Sequence, residues 1–119
     1  MAEPTIEAAA FAELQQGAGA EFVCELVDTF LEEAPTMFAE LRSALEARDS
    51  ARFQRAAHSL KSNGNTFGAF TFGALARDLE LKGYGSDSAS DRTAAAAAID
   101  ALTSEYARVA LALKVLCRV

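Results

Sequence analysis

At 119 residues, 51% of them apolar, the chain suits one globular domain with a single core. A formal charge of −6 without any run of Lys and Arg argues against a general binder of nucleic acid or anionic membrane, which needs clustered cations. No stretch approaches the ~18 uninterrupted apolar residues of a membrane span, and the opening Met1-Ala-Glu-Pro-Thr-Ile-Glu lacks the basic and apolar regions of a signal peptide.

Alanine is abundant and β-branched residues are sparse, so helix is expected throughout. Thr5 to about Gln16 forms a short opener, closed by Gly17 and Gly19. In the second segment Val23, Leu26, Val27, Phe30, Ala34, Met37, Phe38, Leu41 and Leu45 recur at three- and four-residue steps. This stripe crosses Pro35 in phase; the missing donor and the ring predict a kink or break there, with both halves on one core. Arg48-Asp49-Ser50 offers an N-cap for a third helix running to about Phe67, with Gly68 as a left-handed stop. Ala69, Phe72, Leu75, Ala76 and Leu79 line a fourth helix that ends near Gly83. Gly83 to Ser90 reads as a loop, and a last helix from about Asp91 carries Ile99, Leu102, Tyr106, Val109, Ala110, Leu113 and Cys117 on one side. The expected fold is all-α: one domain spanning residues 1–119, an antiparallel up-down four-helix bundle with a short extra N-terminal helix. Cys24 and Cys117, far apart and each in an apolar helical pattern, read as buried free thiols, consistent with a cytoplasmic location.

The chain has a single histidine, His58, on the third helix. Wound at 100° per residue, Phe53, Ala56, Ala57, Leu60, Gly64 and Phe67 share one arc, the buried face. His58 lies about 140° from its centre and therefore faces water. Its outer-face neighbours are Ala51, Gln54, Arg55, Lys61, Ser62 and Asn65. Ala51 and Ser62 are small enough for a partner to approach. Lys61, one turn on, is within reach of the imidazole, and Arg52 and Arg55 add a basic fringe suited to a phosphoryl group. Gly64, mid-helix on the buried face, is expected to admit a close neighbouring helix, since glycine otherwise costs about 1 kcal/mol there.

The segment His58-Ser59-Leu60-Lys61-Ser62, then Asn63 to Phe67, then Gly68-Ala69, with Leu79-Glu80 beyond, resembles the histidine-containing phosphotransfer (Hpt) domains of two-component phosphorelays. The second-helix segment FLEEAP, Phe30 to Pro35, is similar too, and the likeness runs from about Phe11 to Leu116. It implies a phosphoryl carrier rather than a kinase. The Nε2 atom of His58 would attack the phospho-aspartate of a response-regulator receiver domain, with Lys61 stabilising the phosphoryl group, and a second receiver would later collect it. Ala51, Gln54, Arg55, Ser62 and Asn65 would form the partner surface. The implied partners are receiver domains and a hybrid sensor histidine kinase. No cofactor is expected in this chain; Mg²⁺ would belong to the receiver. A monomer is expected. Ser62 stands where the family usually has glycine, which implies slower transfer or narrower partner choice, or else a hydroxyl that holds the phosphoryl group.

Two other readings compete. In the phosphoacceptor helix pair of a sensor kinase an acidic residue usually follows the histidine and a proline comes soon after; here Ser59 follows, and no proline lies downstream. A helical docking module that carries no phosphate gains some weight from Ser62. With one histidine and two distant cysteines no metal-ligand spacing exists, and Glu32-Glu33 reads as a solvated face.

Overall fold

The structure, a computed structural model, describes residues 4–83 and 88–117. Five helices follow in order: α1 (Ala8–Ala18), α2 (Ala20–Ala47), α3 (Ser50–Thr66), α4 (Phe70–Lys82) and α5 (Ala89–Leu116). Helices α2 to α5 pack around a ring, each against its neighbours, and α1 lies against α2, giving the expected four-helix bundle with one extra helix. Among the described residues no helix is long and apolar enough to cross a membrane.

The core follows from the apolar stripes. Phe53, Phe67, Phe72, Leu41, Leu60, Ile99, Leu102 and Leu113 are fully buried, and Phe30 meets Phe72 edge-on at 6.1 Å between ring centroids. Asp49 caps α3 by accepting from the Arg52 amide at 3.1 Å. Gly68 turns the chain at φ 83°, as a left-handed stop requires, and its carbonyl accepts from the Glu7 amide, which ties the N-terminal segment to this corner. The α1 boundary differs from expectation: the helix begins at Ala8 and runs through Gly17 to Ala18, ending where Gly19 takes φ 95°. At the loop expected over Gly83 to Ser90, α4 stops at Gly83 and Ser88 already caps α5; residues 84–87 lie outside the described residues.

Two expectations are revised. Of the kink or break expected at Pro35 the break is absent, since α2 continues from Ala20 to Ala47. The helical partner that proline cannot supply belongs to the Leu31 carbonyl, and the Tyr106 hydroxyl of α5 donates to that oxygen instead, at 3.4 Å. Tyr106 is anchored edge-on against Phe30 and Phe38, on either side of the proline. The cysteines are not free thiols: Cys24 and Cys117 form a disulfide with a Cα–Cα distance of 5.6 Å. Antiparallel packing of α2 and α5 brings the start of one beside the end of the other, and both residues are half-buried.

Candidate functional site around His58

Helices α3 and α4 form an antiparallel pair about the Gly68-Ala69 turn, the most extensive packing in the bundle. Two glycines allow it. A Cβ on Gly64 would overlap the Phe72 ring, and one on Gly73 would strike the Asn65 side chain. The close helix approach expected at Gly64 is therefore present, and Asn65 has a task within the fold: it covers the α4 backbone.

His58 lies on the outer face of α3 with its side chain 57% exposed, as its helical phase requires. Its Nδ1 lies 2.5 Å from Glu80 Oε2 on α4. The other oxygen of the same carboxylate lies 2.7 Å from Lys61 Nζ. Lys61, expected near the imidazole, thus reaches it through Glu80. Hydrogen bonding to Lys61, and then to His58, holds the Glu80 carboxyl below the usual carboxylate range despite partial burial. An ionised carboxylate can only accept, so the neutral imidazole keeps its proton on Nδ1 and its lone pair on Nε2. The arrangement prepares a nucleophile at Nε2 and places a negative charge behind the ring, where positive charge develops once Nε2 bonds to an electrophile.

An open cavity of about 490 Å³ borders the imidazole, lined by Ala51, Gln54, Arg55, His58, Ser59 and Glu80. Arg52 does not join it. Its guanidinium bonds Glu40 Oε1 at 2.6 Å and Ser43 at 3.1 Å, toward α2, so the expected basic fringe is one cation smaller. Ser62 is exposed, and its carbonyl accepts from the Thr66 hydroxyl. Sequence reasoning named Leu79-Glu80 only as a motif and gave Glu80 no role. The signal was available: His58 and Glu80 are equidistant from Ala69 along the chain, as are Asn65 and Gly73, so the register of the helix pair sets Glu80 opposite the histidine. Among the described residues no cluster of three or more His, Cys, Asp or Glu could hold a metal ion.

The family profile described as "Hpt domain" matches residues 25–112, from the first third of α2 to the last turns of α5. The chain belongs to the Hpt family. The crystal structure of histidine-containing phosphotransfer protein B (HptB) from Pseudomonas aeruginosa PAO1 superposes with a TM-score of 0.81 at 25% identity, covering 98% of this chain and 97% of that one. No curated protein sequence matches. As an Hpt domain the chain has a histidine phosphotransfer role in phosphorelays, in which Hpt proteins in general are phosphocarrier intermediates. Both cysteines of the disulfide fall outside the matched segment, whereas His58, Lys61 and Glu80 fall within it.

Proposed function

We infer that His58 is the phosphoacceptor, and that the domain takes a phosphoryl group from the phospho-aspartate of one receiver domain and delivers it to the aspartate of another. The observation that carries this is the exposed imidazole whose Nδ1 is held by an ionised carboxylate. The Nε2 lone pair attacks phosphorus and the bond to the aspartyl oxygen breaks, its electron pair returning to the receiver's carboxylate. The Nδ1 proton stays on the ring, so the phosphorylated imidazole carries a positive charge that faces Glu80. Onward transfer reverses these steps. Lys61 keeps Glu80 ionised and aimed, and Ala51, Gln54, Arg55, Ser62 and Asn65 form the face a receiver covers. The domain has no kinase activity of its own; Mg²⁺ and the acidic pocket are the receiver's, and a sensor kinase of hybrid type supplies the first receiver. It works as a monomer in the cytoplasm, a location that follows from its receiver partners and not from its disulfide-bonded cysteines.

The test is single-turnover incubation with a radiolabelled phospho-receiver. Wild type should acquire an acid-labile, alkali-stable label, and His58→Gln should acquire none while keeping its helical dichroism and melting within about 0.5 kcal/mol, as an exposed position allows. Label persisting in that variant would place the acceptor elsewhere.

A further inference from the structure

The phosphoryl group on His58 needs a cation, and the local geometry leaves one in position. Lys61 is committed: its ammonium lies 2.7 Å from Glu80, its side chain is only 24% exposed, and it does not border the cavity beside the imidazole. Arg52 is committed as well, to Glu40 and Ser43 on the α2 side. This second pairing matters for Arg55. Glu40 is the carboxylate that would otherwise compete for Arg55. Its carboxyl is held low first by the hydrogen bond from Arg52, and Arg55 adds only a through-space pull. Arg55 itself makes no ion pair or hydrogen bond among the described residues, is exposed, and borders the cavity shared with His58.

Helix geometry places it correctly. Side chains on a helix lean toward its N-terminus, so the His58 ring covers the turn that carries Gln54 and Arg55, not the turn that carries Ser62. Ala51, one turn further back, leaves that side uncrowded. A guanidinium offers a planar fork of donors matched to two phosphoryl oxygens, and the Gln54 amide adds a neutral donor on the same side.

We propose that Arg55 is the residue that grips the phosphoryl group on His58, with Gln54 beside it, while Lys61 acts one step removed by holding Glu80. This assignment rests on His58 being the phosphoacceptor. In the transfer, phosphorus gains its bond to Nε2 and loses its bond to the leaving group, whose electron pair departs with it. Arg55 compensates the charge on the phosphoryl oxygens throughout and exchanges no proton.

Phosphoramidate is the decisive probe, because it can donate to an imidazole with ammonia leaving and has no protein surface to dock. Labelling of full-length wild type, Arg55→Ala, Arg55→Lys, Lys61→Ala and His58→Gln would be timed with phosphoramidate and, separately, with a saturating phospho-receiver. Arg55→Ala should be slower by about 10- to 100-fold with both donors, the scale of one charge-assisted hydrogen bond. Arg55→Lys should recover part of the rate, and Lys61→Ala should lose less than Arg55→Ala. A wild-type rate with phosphoramidate but a slow one with the receiver would make Arg55 a docking residue and overturn the proposal. A larger loss in Lys61→Ala than in Arg55→Ala would overturn it too. Label surviving in His58→Gln would instead overturn the reading beneath it.

Discussion

Replacing Glu80 with glutamine keeps the size and shape of the side chain and removes one charge, so it isolates what the carboxylate contributes. In the native protein that carboxylate accepts from Nδ1 of His58 at 2.5 Å and from Lys61 at 2.7 Å. The amide oxygen can still accept from Nδ1, but as a neutral partner. The gap between charge-assisted and neutral hydrogen bonds, felt where the ring becomes cationic, corresponds to about tenfold in rate. Glutamine can also turn its amide group toward the ring, leaving the proton on Nε2 and the lone pair on the wrong nitrogen, which removes a further few-fold. An expected loss of about 10- to 30-fold stays far below the ~10⁴ seen where a buried acid orients a catalytic histidine, because His58 is more than half exposed and water screens the ring. Single-turnover transfer from a saturating phospho-receiver measures the loss, and ¹⁵N NMR of the imidazole reports the tautomer directly. Glu80→Gln also frees the Lys61 ammonium, so the comparison is repeated in a Lys61→Ala background, where the loss should persist. The same carboxyl predicts a pH effect on stability. Its folded value lies below the ordinary 4.5, so its contribution is complete above that pH and fades as pH falls through the folded value; Glu80→Gln should lose less stability on acidification than wild type. A wild-type imidazole protonated on Nε2, or a Glu80→Gln variant that transfers at the wild-type rate, would refute this account of the site.

Two further outcomes test the scaffold. Cys24→Ser should lower stability by about 2–4 kcal/mol, since the disulfide closes a separation of 93 residues; two reactive thiols in unreduced, denatured wild type would show that the bond is not there. Gly64→Ala should destabilise by ~1–2 kcal/mol, because its Cβ overlaps the buried Phe72 ring, costing more than the roughly 1 kcal/mol that alanine adds to helix stability; a raised melting temperature would show that the two helices are not this close.

Features set within one helix were legible in the sequence, and features set between helices were not. The outward direction of His58, the buried arc from Phe53 to Phe67 and the positive φ of Gly68 each depend on local phase or a local turn, and each is found where periodicity puts it. The unbroken passage of α2 through Pro35 was not legible, because the group that serves the Leu31 carbonyl comes from Tyr106, 75 residues away. Cys24 and Cys117 were misread for the same reason: each fits an apolar stripe, and only the register of α2 against α5 makes them neighbours. Arg52 sits at a polar position of α3 that phase alone cannot assign to α2 or to the histidine, and Glu40 decides it. Glu80 lay between the two cases, since the α3–α4 turn fixes its register to His58 but its charge had no role until Lys61 and Nδ1 were seen on one carboxylate.

The pairing of charges along α3 bears on how a carrier differs from a sink. Three cations, Arg52, Arg55 and Lys61, lie within two turns of the histidine, and all three together would bind a phosphoryl group tightly. Tight binding of the phosphorylated state lowers the barrier for arrival but deepens the well from which the group must depart, so it does not speed a relay that must also release. The flanking helices prevent this. Glu40 of α2 takes Arg52 and Glu80 of α4 takes Lys61, which leaves the ring with a carboxylate behind it and, among the described residues, the guanidinium of Arg55 without an ion pair. The same two pairs also tie α3 to both neighbours. Neutralising Glu40 should therefore do more than loosen α2: it frees a second guanidinium near His58, and the phosphorylated form should live longer while onward transfer slows.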